Sequence, residues 1–332
     1  MDMEKIYAEL NSAVGLPGSK LLNRIWEILC TEEEILIASC LPGTAVEIAE
    51  KSGRSGAETE AALESLFLKG AAFKSVKNGK VRYRTARHII QFHDASILWK
   101  GASQEFLDLW VRVMDEEFTA MIGSLPGDVK LPSFMRVIPV GESLDARSRV
   151  LPFEECARII NDAERRAVVE CVCRKSQKNC DAPLEVCVQL NRGAEYAIER
   201  GTGREITREE ALDILRMAEA HGLVHMQENT TRGNVICNCC SCCCEMFRLM
   251  KHTGKKWILS PSRFLAEVDS AACTGCGECI DICPVNALVP SDDESPDIQE
   301  ADCIGCGLCA SVCPVGAIFL RESRPEGHIP SA

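Results

Sequence analysis

Two cysteine runs of identical spacing constrain this chain more than any other feature of its sequence. The runs CTGCGECIDICPVNAL, from Cys273, and CIGCGLCASVCPVGAI, from Cys303, both read C-x2-C-x2-C-x3-C-P. Three closely spaced cysteines on a glycine-containing loop can turn toward one metal cluster, and a fourth that opens a helix ligates the other cluster. The repeat therefore predicts two clusters with ligands exchanged between the runs.

The spacing is that of iron–sulfur cubanes, and it divides the eight cysteines into two crossed sets. Pro284 and Pro314 suit the first turn of a helix, where no amide donor is needed. The predicted ligands of the first cluster are Cys273, Cys276, Cys279 and Cys313. The predicted ligands of the second cluster are Cys303, Cys306, Cys309 and Cys283.

These runs resemble the bacterial-type ferredoxin domain with two [4Fe-4S] clusters, and every motif position matches across about residues 266–320. The resemblance implies a pseudo-symmetric (βαβ)2 fold that passes one electron at a time. Zinc is the alternative, and two identical four-cysteine runs ending in Cys-Pro disfavour it. We therefore predict a dicluster ferredoxin-like domain at 263–332.

The remaining composition favours metal chemistry in a reducing compartment. The 332 residues include 21 cysteines, and no apolar run reaches the length of a membrane span. The start, MDMEKIYAEL, lacks the basic flank and apolar run of a secretory signal. Because cytosolic thiols are kept reduced, this many cysteines indicate metal or redox chemistry. We predict a cytoplasmic protein of an anaerobe.

Negative charge is concentrated at the C-terminal end. The whole chain carries −12, and residues 266–332 hold twelve acids against Arg321 and Arg324, which is −10. Such a surface can steer a basic redox partner, or it can simply keep the protein in solution. The acids are Glu267, Asp269, Glu278, Asp281, Asp292, Asp293, Glu294, Asp297, Glu300, Asp302, Glu322 and Glu326.

The N-terminal pattern over 1–125 predicts helices, a hairpin and a helical extension. Thr44 and Glu47 form a capping-box pair, Gly70 ends a helix, and Asn78-Gly79 separates two strands. An amphipathic core segment follows over 95–125. Three helices and a hairpin in this order resemble a winged-helix domain.

DNA binding is the less favoured use of that domain. Its third helix would offer Glu58, Glu60 and Glu64 to the major groove, where donors are needed. Docking of a protein or self-association is favoured instead. The opposing signal is the set of bases on the wing, Lys74, Lys77, Lys80, Arg82, Arg84 and Arg87.

A cysteine-rich α/β domain is predicted at 126–262, and the Pro/Gly-rich stretch between 123 and 151 is interpreted as a linker region. The run AVVECVCR reads as a strand with Cys171 and Cys173 on one face. A helix begins at the capping box of Thr207 and Glu210 and ends at Gly222. The candidate metal ligands are Cys171, Cys173, Cys180, Cys187, Cys237, Cys239, Cys240, Cys242, Cys243 and Cys244.

The chemistry of these ten thiols is left open by their spacing. One or two further iron–sulfur clusters are favoured over a structural zinc, with disulfide or persulfide chemistry third. Adjacent cysteines and C-x-C pairs cannot all face one cubane. His225 is a weak further ligand candidate, and Cys30, Cys40 and Cys156 read as buried thiols.

The predicted protein is therefore an α+β iron–sulfur electron carrier that exchanges electrons with redox partner proteins. No acid–base or nucleophile constellation indicates catalysis by the polypeptide. The alternatives are a redox-sensing winged-helix transcriptional regulator and an electron-transfer subunit of a larger anaerobic oxidoreductase.

Overall fold

The computed structural model describes residues 2–127, 129, 131–144, 151, 154–292 and 294–331. Helices and small sheets occur together, which confirms the predicted α+β class. The chain divides into two compact units. The first contains Met1–Leu125, Lys175–Gln177 and Glu199–Thr202, and the second contains Pro126–Arg174, Lys178–Ile198 and Gly203–Ala332. A division between a middle and a C-terminal domain at 262/263 stays a prediction.

The first unit combines helices with one antiparallel hairpin. The predicted capping box of Thr44 and Glu47 forms, and Asn78 and Gly79 adopt the positive φ of a tight turn. The elements are α1 Met3–Ala13, α2 Lys20–Leu29, α3 Glu32–Ser39, α4 Ala45–Ser52, α5 Gly56–Leu68, β1 Ala72–Lys77, β2 Lys80–Thr85, α6 Ile89–Ile97, α7 Gln104–Arg112 and α8 Thr119–Ser124.

Aromatic side chains fill the core of this unit. The rings of Trp26 and Phe92 stack 4.4 Å apart, and Trp110 meets Phe92 edge-on at 5.3 Å. Phe106 and Phe118 are also buried, which confirms that the segment 95–125 contributes to a core. The hairpin follows the helices as predicted, but four helices, α2 to α5, precede it where three were predicted, because the first helical pattern ends at Leu29 and a new helix begins at Glu32. The winged-helix assignment itself stays a prediction.

A seven-stranded sheet forms the centre of the second unit. Its strands run in the order β6-β4-β5-β8-β7-β3-β9, and all neighbours are antiparallel except β3 and β9. The elements are β3 Met135–Val137, α9 Cys156–Asp162, β4 Arg166–Glu170, α10 Val172–Gln177, β5 Glu185–Leu190, α11 Arg192–Glu199, β6 Gly203–Glu205, α12 Arg208–Ala220, β7 Val224–Glu228, β8 Val235–Cys239, α13 Glu245–Thr253 and β9 Leu259–Ser260.

Helix α12 covers one face of this sheet. It begins at the predicted capping box of Thr207 and Glu210, and Gly222 follows its end with a φ of 65°. The helix packs against α9, β4 and β5. Its buried side chains include Ala211, Ile214 and Leu215, as the periodicity predicts.

Two predictions for this unit are wrong. The linker at 123–151 contributes β3, which lies inside the sheet, because Pro and Gly flank the strand without interrupting it. Residues 128, 130 and 145–150 of that segment lie outside the described residues. The strand predicted through Cys173 ends at Glu170, since the chain turns there into α10 and Cys173 lies on that helix.

The last part of the chain repeats one small βαβ arrangement twice. The outer strands pair as β10 with β13, and the inner strands pair as β11 with β12. This is the (βαβ)2 arrangement that the ferredoxin resemblance implies. The elements are β10 Phe264–Val268, α14 Glu278–Asp281, β11 Leu288–Val289, β12 Asp297–Ile298, α15 Leu308–Ser311 and β13 Ile318–Glu322.

Candidate metal centres

The first set of C-terminal thiols draws on both cysteine runs. Burial raises the pKa of the Cys279 thiol, and the charges of Cys276 and Cys313 raise it further. Cys276 belongs to the same run as Cys279, whereas Cys313 is the fourth cysteine of the other run. The electrostatic neighbours therefore have the crossed pattern that the spacing predicts for a dicluster domain.

The second set shows the same exchange. Burial raises the pKa of Cys306 to about 12, and the charges of Cys303 and Cys283 act in the same direction. One small pocket is lined by Cys283, Cys303, Cys306 and Cys309 together. Thiolates so close together and so buried need a cation to offset their charge, and iron supplies it in an iron–sulfur cluster.

Backbone amides point at the exchanged cysteines in both halves. Ala287 N donates to Cys283 Sγ at 3.2 Å, and Ala317 N donates to Cys313 Sγ at 3.2 Å. Such donors stabilise a ligating thiolate and tune the cluster that it holds. Their identical geometry shows that the sequence repeat is also a structural repeat.

The two cluster loops differ sharply in exposure. In loop 273–279 four of seven residues are exposed, including Cys276, whereas in loop 303–309 six of seven are buried. Both loops have the same spacing and the same glycines, and the residues that differ are polar in the exposed loop, Thr274 and Glu278, and apolar in the buried loop, Ile304 and Leu308.

Segments that precede the ferredoxin-like repeat cover the second loop. Val140 N donates to the carbonyl of Cys306 at 2.9 Å, and Ser262 N donates to the carbonyl of Ile304 at 3.0 Å. The Ser262 hydroxyl also donates to the carbonyl of Gly305 at 2.7 Å. The second cluster loop is thus hydrogen-bonded to segments next to strands of the seven-stranded sheet.

Six of the ten middle cysteines gather on one side of that sheet. The register pairs Val188 with Ile236, so Cys187 and Cys237 come next to each other on the opposite face. Cys239 lies two residues beyond Cys237 and shares its face. Their sulfurs form a closed ring of contacts through Cys171, Cys173, Cys244, Cys239, Cys237 and Cys187.

Two thiols of this ring lie at helix N-termini. Cys171 is the N-cap of α10 and Cys244 is the N-cap of α13. The pKa of Cys171 is lowered to about 3, and that of Cys244 is lowered well below its ordinary value. For both thiols the largest cause is a hydrogen bond from Cys173. Amides of Met246 and Phe247 add to the effect at Cys244. The same sulfur contacts raise the pKa of Cys173, Cys187 and Cys239 well above its ordinary value, so they favour the thiolate at some ring positions and the thiol at others.

The other four middle cysteines form a separate, tighter group. Cys180, in the loop between α10 and β5, meets the turn that follows β8. Its sulfur lies 3.7 Å from that of Cys240 and 3.8 Å from that of Cys243. The sulfur of Cys242 lies 3.8 Å from the sulfur of Cys243. All four sulfurs of the group are within 4.8 Å of one another. The thiol-rich stretch 237–244 thus contributes to two groups.

Arg174 lies beside this group and was not predicted from the sequence. Its side chain is 1% exposed and donates to the carbonyls of Pro183 and Asn238, at 2.5 and 3.2 Å. It also hydrogen-bonds the sulfurs of Cys180 and Cys240. Crowded thiolates need a cation nearby, and this requirement could have pointed to an arginine beside the cysteines in the sequence.

His225 contacts polar groups on the opposite face of the sheet from the ring. Its Nδ1 pairs with Asn238 Oδ1 at 2.6 Å, and its Nε2 pairs with Glu219 Oε1 at 3.0 Å. Asn238 alternates with Cys237 and Cys239 along β8, so its side chain points away from the ring. Both ring nitrogens of His225 are occupied, which removes it from the ligand candidates.

Three cysteines lie outside these groups. Cys30 and Cys156 are buried, as predicted, and burial is the main cause that raises the pKa of each thiol. Cys40 is only partly buried. These thiols offer internal controls for the candidate metal ligands.

Comparison with known proteins supports the C-terminal assignment. Residues 272–317 match the family model described as 4Fe-4S dicluster domain. No curated protein and no solved structure gives a significant match to the chain. Among the described residues, no helix has the length and apolar character needed to cross a membrane.

The fold and the cysteine pattern at the C-terminus therefore define a two-cluster iron–sulfur module. A 4Fe-4S dicluster domain implies iron–sulfur electron transfer, because such clusters exchange single electrons. The chain presented here carries this module at its C-terminal end.

Proposed function

We propose that this protein transfers single electrons from a redox partner, through the two C-terminal clusters, to a third iron–sulfur centre in the six-cysteine ring. The first cluster is held by Cys273, Cys276, Cys279 and Cys313, and the second by Cys303, Cys306, Cys309 and Cys283. The first cluster is the outer one and the second is the inner one.

The proposed order of the two clusters is based on the difference in exposure between their loops. A partner needs close approach to an exposed cluster, and loop 273–279 offers it through Cys276. Loop 303–309 is buried, and its Cys306 carbonyl accepts a hydrogen bond from Val140. The second cluster loop is therefore bonded to the segment after β3, within the same compact unit as the six-cysteine ring.

The six-cysteine ring supports a polynuclear third centre. A single tetrahedral ion takes four ligands, and six thiols in a closed ring of contacts, four of them buried, exceed that number. The helix N-termini favour the thiolate form of Cys171 and Cys244, and the charge of Arg174 also favours it at Cys171. The C-terminal module transfers electrons through iron–sulfur clusters. Iron in the ring would give this third centre a redox role in the same transfer.

Iron analysis of anaerobically prepared protein tests the third centre. Two cubanes account for about eight irons, so we expect more than eight per chain. Cys187→Ser should bring the count back to about eight, because it removes a ring thiolate. Cys156→Ser is the matched control, since this thiol is buried outside both groups. A saturated wild-type protein with eight irons contradicts the third centre.

The partner is proposed to carry a basic docking face. Asp269, Glu278, Asp281 and Glu294 are exposed and lie in or beside the outer cluster loop, with Glu294 O 3.1 Å from where a Gly275 Cβ would lie. Exposed charge of one sign accelerates association with the opposite sign. Asp293, in the same acidic stretch, lies outside the described residues.

The N-terminal unit is proposed to dock a protein partner or a second copy of the chain, and a redox-sensing regulator is the alternative. Two wing bases are already paired within the unit, Lys74 with Glu199 at 3.2 Å and Arg82 with Glu47 at 3.2 Å. Arg84 donates to a backbone carbonyl. Fewer bases are then left for phosphate contacts.

An anaerobic mobility-shift assay with oxidised and reduced protein separates these uses. We expect only weak, salt-sensitive DNA binding, of order 10⁻⁴ to 10⁻⁶ M. Nanomolar binding of a specific sequence, or an affinity that follows the redox state, would favour the regulator.

A further inference from the structure

We infer that Cys180, Cys240, Cys242 and Cys243 bind a single tetrahedral zinc ion, separate from every iron–sulfur centre of the chain. The inference concerns one metal ion with four thiolate ligands and no open coordination position. It does not depend on the proposed electron path.

The sulfur separations have the size of one MS4 tetrahedron. With metal–sulfur bonds of about 2.3 Å, the edge of such a tetrahedron is about 3.8 Å. The contacts of Cys180 with Cys240 and Cys243 are 3.7 and 3.8 Å, and Cys242 is 3.8 Å from Cys243. A central ion would therefore reach all four sulfurs with little movement of the chain.

A cubane needs a wider arrangement. Each cysteine of a cubane binds a different iron, so an iron–iron edge separates the ligand sulfurs. Within the described residues, the Cys180 group is the one set of three or more metal-binding side chains with all ligand atoms within 4.8 Å. Neither C-terminal set of four is that compact, although those sets have the cubane spacing.

The charge around the group also suits a tetrathiolate ion. Zinc with four thiolates carries a net charge of −2, which is costly to bury without a cation. Arg174 supplies that cation through hydrogen bonds to Cys180 and Cys240. Asn179 Nδ2 also donates to the carbonyl of Cys242 at 3.0 Å and holds the loop against the turn.

Zinc is favoured over ferrous iron at this site. A closed four-thiolate set is the usual structural zinc site, and divalent zinc binds a given ligand set more tightly than ferrous iron. The ion would join Cys180 to a turn 60 residues later in the chain. That link would fix the segments that precede the ring thiols Cys187 and Cys244.

Metal analysis of variants of the full chain tests the site. Protein grown with iron and zinc should contain about one zinc per chain. Cys242→Ser should lose that zinc and keep its iron, and Cys242→His should retain zinc because imidazole is a zinc ligand. The ring variant Cys187→Ser should keep zinc while losing iron, and Cys40→Ser should change neither.

Cobalt(II) gives a readout that is independent of zinc content. Bound in place of zinc, it should show the intense charge-transfer absorption of a tetrahedral thiolate site in wild type and lose it in Cys242→Ser. Absence of zinc from the wild type, zinc retained in Cys242→Ser, or iron lost from Cys242→Ser in the amount of a cubane would each overturn the inference. The retention of zinc by Cys242→His separates ligand loss from misfolding.

Discussion

The backbone amide of Val140 donates a hydrogen bond to the carbonyl of Cys306 at 2.9 Å. This bond attaches the second cluster loop to the segment that follows strand β3. The equivalent carbonyl of the first repeat belongs to Cys276, which is exposed. Two loops of identical spacing therefore have different surroundings, and the following predictions use that difference.

Gly307→Ala should damage the second cluster loop. Gly307 has a φ of 82°, and an added Cβ would clash with Ser143. We expect loss of stability greater than the roughly 1–2 kcal/mol of a left-handed alanine alone, and a weaker second-cluster signal. Denaturant unfolding and EPR of reduced protein measure the two effects.

Gly277→Ala is the matched control for that variant. It has the same motif position and a φ of 81°, but a Cβ there meets nothing within 4 Å. Only the left-handed penalty should appear, and both cluster signals should remain. Equal losses in the two variants would show that the packing around Ser143 is unimportant.

Cys276→Ser and Cys306→Ser should interrupt the electron path at different points. Each should cost about four irons, because a hydroxyl is a poor replacement for a soft thiolate ligand. Rapid-mixing experiments with a reduced partner should show no fast reduction in Cys276→Ser. Cys306→Ser should still accept an electron at its outer cluster without passing it on. The reverse pattern would invert the proposed order.

Association with a basic redox partner should slow as salt rises. At ordinary ionic strength, dissolved ions screen the attraction between the exposed acids near the outer loop and the partner beyond about 8–10 Å. Stopped-flow association rates across a salt series measure the effect. Glu278→Gln should reduce the salt slope, whereas Glu9→Gln, on helix α1, is an exposed control. If the association rate does not change with salt, the negative charge near the outer loop serves solubility alone.

Glu34→Gln should destabilise the first unit in a pH-dependent way. Burial opposes ionisation of Glu34, but hydrogen bonds from Lys69, Ser65 and the Thr31 amide outweigh it and hold the pKa below its ordinary value. A lowered pKa stabilises the fold above the ordinary value, and this stability is lost as pH falls through the folded pKa. The charge-assisted bonds are worth about 1–3 kcal/mol near neutral pH.

Tryptophan fluorescence during denaturant unfolding measures this change, since Trp26, Trp99 and Trp110 all lie in the first unit. The difference between Glu34→Gln and wild type should shrink in acid. Glu58→Gln is the control, because Glu58 has the same capping-box position on helix α5 and is exposed. An equal effect in both variants would assign the loss to capping alone.

Local patterns were predictable because their causes are local. The capping boxes at Thr44 and Thr207 and the turn at Asn78-Gly79 each depend on residues within a few positions of one another. The C-x2-C-x2-C-x3-C-P runs specify a tight loop followed by a helix, and the family match at 272–317 supports what they imply. Predictions failed where the contacts were distant in sequence, as at β3 and α10.

The sequence by itself determined the iron–sulfur module, the α+β class and which thiols were available for metal binding. Only the tertiary structure decided how those thiols divide, because strand alternation and the turn after β8 send Cys237 and Cys239 to the ring and Cys240 to Cys180. It also decided which segments cover the second cluster loop. Burial depends on the segments that pack over a loop, and residues such as Val140 are far from Cys306 in the chain.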